Sequence, residues 1–253
     1  MKKYILCSVI ALGSLSCTDS FLEEKMVSTI TQDYFETEQG LEQLIVGTYD
    51  ALRVTKQYEQ GPSTFMSGVD NFTNKTPNRG MYSPSEWNAT GRFANWANSL
   101  CGENSKSLLG FYPIINNCNR AILSIREGKA LGKFATDAEY AARSLSEALF
   151  NRAYSVYIMS TMYGAIYVPQ GYTTELPSNY NYMRQSVPSI YSMLIGDLRY
   201  AYDHLPDVSE QNLSADFGRA TKGAAAHFLA KLYLQRAQAE KIWNSRVWGR
   251  CKW

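Results

Sequence analysis

The sequence predicts an all-α fold built from antiparallel helix pairs with long loops between them. Three observations carry that class. Apolar residues recur at helical spacing in five separate segments; no run of alternating apolar and polar residues reads as a strand; and stretches rich in Gly, Pro and Asn punctuate the chain.

The elements follow in order. Residues 18–36 read as irregular. From Gly40 to Arg53, the residues Leu41, Leu44, Ile45, Thr48 and Leu52 mark one face of an amphipathic helix. Residues 54–98 hold Gly61, Pro62, Gly68, Pro77, Gly80, Pro84 and Gly91 and predict a loop. Loops this long in compact domains usually carry function. Ile115, Cys118, Ile122 and Ile125 define a second helix from Tyr112 to about Gly128. Thr136-Asp137-Ala138-Glu139 then reads as a capping box, with Thr136 as the N-cap of a helix reaching Tyr163. Gly164 suits its C-terminal turn. Its apolar strip is Leu145, Leu149, Ala153 and Val156.

A polar connection, 168–185, leads to Ser186 as an N-cap with Pro188 in the first turn. That helix carries Ile190, Leu194, Leu198, Ala201 and Leu205 and ends at Pro206. A last helix spans about Ala220 to Ala239. Its many Ala residues predict close neighbours and a central position. Paired helices suggest tetratricopeptide-like stacking, although no strict 34-residue repeat is visible.

The amino terminus carries an address. Lys2 and Lys3 precede an apolar run from Tyr4 to Leu15, the pattern of an export signal. The run is too short for a spanning helix, which needs roughly 20 residues. Ser16 directly before Cys17 resembles the lipobox of bacterial lipoproteins, with Ser14 where an aliphatic residue is usual. The resemblance implies cleavage of a 1–16 signal peptide, acylation of Cys17 and anchoring in the outer membrane. Several acyl chains hold a membrane stably where one holds it marginally.

Composition narrows the chemistry. Net charge is +2 with Lys and Arg dispersed, so no basic stripe for nucleic acid is present. Cys101, Cys118 and Cys251 form no C-x-x-C pair, and neither a metal site nor a cofactor site is read. Cys118, on an apolar helix face, reads as a buried thiol; a Cys101–Cys118 disulfide is the less favoured alternative. The sequons at Asn71, Asn74, Asn88 and Asn212 read as chance in an Asn-rich surface. Only two His occur and no hydrolase or nucleotide-binding motif is found, so no catalytic residue is assigned. His204 sits where a helix dipole favours positive charge, and His227 reads as packed or half-buried.

Sugar binding needs an aromatic face for the pyranose ring and hydrogen-bonding side chains for its hydroxyls. The stretch GVDNFTNKTPNRGMYSPSEWNATGRFANWANS supplies both. Its candidates are Asp70, Asn71, Asn74, Arg79, Tyr82, Trp87, Trp96 and Asn98. Trp87, among Pro and Ser, is the favoured stacking residue; Trp96 divides evenly between stacking and core.

Five segments in order resemble one family. They are CTDSFLEE with YFETEQGLEQLIVGTYDALR, FYPIINNCNRAI, SEALFNRAYSVYIMSTMYGAIYVP, RQSVPSIYSMLIGDLRYAYDHLP and GRATKGAAAHFLAKLYLQRA. Together they resemble the amino-terminal half of SusD/RagB-type surface lipoproteins. The resemblance implies a right-handed superhelical, tetratricopeptide-like scaffold over 17–239, with part of the ligand site in the early loop. It implies a lipid-anchored protein on the extracellular face that captures oligosaccharides and passes them to a SusC-like TonB-dependent transporter. An adaptor that docks a complex without binding sugar remains the alternative. Residues 240–253, with three Trp in KIWNSRVWGRCKW, depart from the family and suggest a truncated or frameshifted remnant.

Overall fold

The computed structural model describes residues 32–57, 110–172, 182–211 and 216–244. The chain divides into two compact units, Met1–Tyr34 and Phe35–Trp253. The first enters the described residues only at the start of a 3-10 turn, Gln32–Glu36. Among the described residues the second carries five long helices: α1 (Glu38–Gln57), α2 (Phe111–Arg126), α3 (Ala138–Tyr163), α4 (Val187–His204) and α5 (Lys222–Asn244). Extended pairing among the described residues amounts to one antiparallel bridge, Ile166 with Gln185. The fold is all-α, as the periodicity predicts.

Side-chain partners give the helix directions. Tyr140 of α3 donates to Glu42 of α1 at 3.0 Å, and Asn151 of α3 donates to Thr48 of α1 at 2.9 Å. Residue numbers rise together, so α1 and α3 run parallel. Asn119 of α2 meets Arg152 while Ile125 lies beside Leu145, so α2 runs antiparallel to α3. Asp197 meets Arg152 and Tyr200 lies beside Leu145, which makes α4 antiparallel to α3 as well. Lys222 lies over Tyr202 and Tyr233 near Arg199, so α5 reverses again. Each helix packs on its predecessor, and α1 also packs on α3. This is the stacking of successive helical hairpins.

The core runs through the middle of the stack. Leu41, Ile45, Ile114, Ile115, Leu149, Ile190, Leu194 and Leu198 are essentially removed from water. Each such side chain contributes about 1.5–3 kcal/mol. Phe150, Tyr154 and Tyr157 meet Phe228 of α5 edge-on, with ring centroids 5.2–5.8 Å apart. The Tyr-rich part of α3 is interhelical packing.

Helix ends differ from the sequence reading where local polar groups compete. α1 starts at Glu38 instead of Gly40, because the Thr37 hydroxyl accepts the Gly40 N–H at 3.1 Å. Thr136 is not the N-cap of α3. It closes a separate turn, Lys133–Thr136, where its hydroxyl donates to Gly132 O at 3.2 Å. Asp137 caps α3 instead, accepting from the Glu139 and Tyr140 amides at 3.0 Å each. Ser186 caps α4, with Pro188 in the first turn, as expected.

The position expected for the last helix is corrected. α5 lies at the edge of the described array, against α4 and, through Phe228, α3. Its Ala residues permit close approach on one side only, and Leu234 is 76% exposed on the other. His227, read as packed, is exposed and turns its ring edge-on to Phe228. Cys118 is a buried free thiol.

Candidate functional site

Parallel α1 and α3 send their carboxy termini to the same end of the array. The connection from α1 to α2 and the connection from α3 to α4 therefore both arise there. Tyr112, in the first turn of α2, donates its hydroxyl to Tyr167 O just beyond α3 at 2.8 Å. Asp70, Asn71, Asn74, Arg79, Tyr82, Trp87, Trp96 and Asn98 all belong to the first connection and lie outside the described residues. What is described is where that connection departs, after Gln57, and where it returns, at Phe111. Cys17, Cys101 and Cys251 are likewise outside the described residues.

In the second connection, read from the sequence as polar, the described feet 164–172 and 182–186 are held by specific contacts. Gly164, at φ 72°, turns the chain off α3. Gln185 N then donates to Ile166 O at 2.8 Å and ties the two feet of the loop together. Ile166 and Val168 are buried beneath it. α2 grips the loop through adjacent side chains. Asn119 donates to Pro169 O at 3.0 Å and to Gly171 O at 3.4 Å. Arg120 donates to the Tyr172 hydroxyl at 3.2 Å, with its guanidinium 4.9 Å from that ring and 4.1 Å from the ring of Phe35. Tyr182 meets Tyr167 edge-on at 5.2 Å.

Asn119 is itself held from below. Arg152 donates to Asn119 Oδ1 at 2.9 Å and forms a bidentate pair with Asp197, its Nη2 lying 2.7 Å from both carboxylate oxygens. Both side chains are about nine-tenths buried. Burial pushes the Asp197 carboxyl above its ordinary range, with Arg152 opposing that rise. Fork-on-fork geometry fixes direction as well as distance. Arg152 of the R-A-Y segment and Asp197 of the D-L segment therefore link α3 to α4 and, through Asn119, to α2 and the loop. These motif residues are internal pins.

A second polar hub sits at the opposite end of the array. Glu147, fully buried on α3, accepts from the Tyr49 hydroxyl at 3.0 Å and from Arg219 at 3.2 and 3.3 Å. Arg219 also pairs with Glu42. Ala220 N donates to the Tyr49 hydroxyl at 3.1 Å. Arg143 lies 3.5 Å from Glu147 and 2.8 Å from Asp216 at ion-pair distance, without hydrogen-bond alignment. Burial pushes Glu147 up against the pull of Arg219. Burial would lower Arg219, but the Glu147 and Glu42 carboxylates outweigh it and hold Arg219 above its ordinary value. The G-R-A-T-K motif thus staples the turn before α5 onto α1 and α3.

A cavity of about 350 Å³ also opens at this second end, between Phe134, Ala138, Ala141, Ala142 and Tyr200. Its lining mixes Ala, Leu and Ile side chains with Thr136 and Tyr200, and no charged side chain lines it. The first end, where the α3–α4 connection is tethered through aromatic and polar side chains and the α1–α2 connection departs and returns, is the candidate site. Among the described residues, no cluster of three or more His, Cys, Asp or Glu is arranged to hold a metal, and no helix is long and apolar enough to cross a membrane.

Comparison with known proteins agrees with this architecture. A family described as SusD-like, starch-binding and associating with the outer membrane, matches residues 20–234. A SusD-like protein of Bacteroides ovatus is 28% identical over 247 residues, covering 96% of this chain and 40% of its own length. SusD-like protein P2 of Formosa agariphila is 25% identical over 250 residues, covering 95% of this chain and 45% of its own. The chain therefore spans less than half the length of these relatives. A laminarin-binding SusD-like protein shares the fold with a TM-score of 0.61 at 21% identity, over 80% of this chain and 42% of that one. A SusD-like protein from Bacteroides fragilis does so with a TM-score of 0.58 at 19% identity, over 83% of this chain and 37% of that one. With the family match running from residue 20 to residue 234, within the last helix, the chain belongs to the SusD-like family.

Proposed function

We propose that this chain is a glycan-capture protein of the outer membrane, binding oligosaccharide at the end of the helix array where the α1–α2 and α3–α4 connections meet. The observation that carries the reading is the match to a starch-binding, outer-membrane-associated family across residues 20–234. The helix directions support it: the α1–α2 and α3–α4 connections leave and rejoin the helices at the same end of the array. In this reading Trp87 stacks on a pyranose face. Asp70, Asn71, Asn74, Arg79, Tyr82, Trp96 and Asn98 supply further stacking and hydrogen bonds. The role is capture without cleavage.

The same proposal places a lipid on Cys17 after removal of residues 1–16, the helical domain over 17–239 on the extracellular face, and a SusC-like TonB-dependent transporter as the recipient of the glycan. Affinity electrophoresis through gels containing soluble starch or laminarin tests the binding step. Retardation of the wild type, weakened by Trp87→Ala, is expected. Wild-type migration unchanged in every polysaccharide would overturn the reading and favour an adaptor. A reducing-sugar assay on the same polysaccharides is expected to show no release. Mass spectrometry of natively produced protein is expected to find an acylated residue 17.

A further inference from the structure

The α3–α4 loop offers a binding surface built from residues that the sequence reading left unassigned. Tyr182 is 47% exposed and Met183 67% exposed. They are neighbours in a segment that leads into the Gln185 bridge. Neither side chain is buried against the helices. Tyr182 is nonetheless oriented, because it meets Tyr167 edge-on at 5.2 Å with ring planes 80° apart. Tyr167 in turn is anchored through its carbonyl to Tyr112. An exposed tyrosine whose ring is already oriented loses little freedom when a ligand settles on it, which favours affinity.

Arg184 is two residues further along, is exposed, and forms no ion pair among the described residues. Gln170, also exposed, approaches the same loop base, its amide 3.3 Å from Val168 O. An oriented, exposed ring with a guanidinium two residues along the chain offers a pyranose an apolar face to stack on and a donor for its hydroxyls.

We infer that Tyr182, with Arg184 beside it, forms a sugar-stacking subsite on the α3–α4 loop, binding one pyranose unit of the same glycan. The inference rests on the proposed glycan-binding function and deepens it. It places a second contact at the same end of the array as the α1–α2 connection, so that a chain of several sugars spans both.

The test compares wild type, Trp87→Ala, Tyr182→Ala, Tyr182→Phe and Arg184→Ala in affinity gels containing starch or laminarin, with circular dichroism confirming equal helix content. Tyr182→Ala is expected to weaken retardation roughly three- to tenfold, the range of one aromatic stacking contact. Tyr182→Phe, which keeps the ring, should stay within about twofold of wild type, and Arg184→Ala should weaken binding. If the wild type is retarded and Tyr182→Ala matches it, the subsite is wrong while glycan binding stands. If no polysaccharide retards the wild type, both fall together.

Discussion

Cys118 sits among α1, α2 and α3 with no exposed surface, and burial pushes its thiol up to about 12. At pH 8 that leaves roughly one molecule in ten thousand as thiolate, the reactive form. Peptide mapping after brief iodoacetamide treatment of the folded protein should find Cys118 unmodified, and treatment in denaturant should modify it fully. Arg152 and Asp197 give a different residue-level prediction. Replacing Asp197 by Ala strands a buried guanidinium, which costs about 3–5 kcal/mol in chemical denaturation. The double change Arg152→Met with Asp197→Leu removes both charges and should recover much of that loss.

Glu147 sets a pH dependence whose sign follows from its shift. Its folded-state carboxyl holds its proton more tightly than the unfolded one, because burial outweighs the pull of Arg219. Such a group favours folding most below the ordinary carboxylate value near about 4, and the benefit fades as pH rises through the raised value. The Tm advantage of wild type over Glu147→Gln should therefore narrow from about pH 4 to about pH 7. An advantage that widens over that interval would contradict the assignment.

Among the elements, the helices were legible because each carries a continuous apolar stripe, and a stripe is a local property. Their ends were less so. Thr136 and Asp137 are both good caps, and only the turn at Lys133–Thr136 decides that Asp137 serves α3. That turn depends on Gly132, at φ 68°, where an added Cβ would fall 2.4 Å from Glu38 Oε2 and 2.7 Å from Glu38 Cβ. Gly132→Ala should destabilise by about 1–3 kcal/mol, the cost of a strained left-handed residue, before the clash is added. Gly47 is the contrast. It is exposed in the interior of α1 with nothing within 4 Å of a new Cβ, so Gly47→Ala should stabilise by about 0.5–1 kcal/mol. Thermal denaturation of the two variants checks both signs. α5 misled the sequence reading for a simple reason: small residues permit close packing but do not say on how many sides it occurs. The contacts that hold the described feet of the α3–α4 connection are not legible in its own residues, because they come from Asn119, Arg120 and Tyr112 on another helix.

At the scale of the whole molecule, alternating helix direction sorts the connections into two ends with different jobs. The end holding 127–137 and 205–221 is closed by the Glu147 hub, which ties α1, α3 and the turn before α5 together. The other end gathers the α1–α2 and α3–α4 connections above the Arg152–Asp197 pin. Arg152, Asp197 and Arg219, which lie in segments that resemble the family, thus build the frame, whereas the residues proposed to touch sugar lie in the connections between helices. That division explains why the scaffold could be recognised from its motifs while the ligand could not: frame residues answer to one packing geometry, and loop residues answer to the ligand.

Hydrogen–deuterium exchange with and without laminarin, or starch if starch is the polysaccharide that retards the protein, tests this two-ended division most directly. The account predicts slower exchange in peptides from 58–110 and 164–186, and unchanged exchange in 127–137 and 205–221. Protection confined to 127–137 and 205–221 would place the ligand at the wrong end and contradict it.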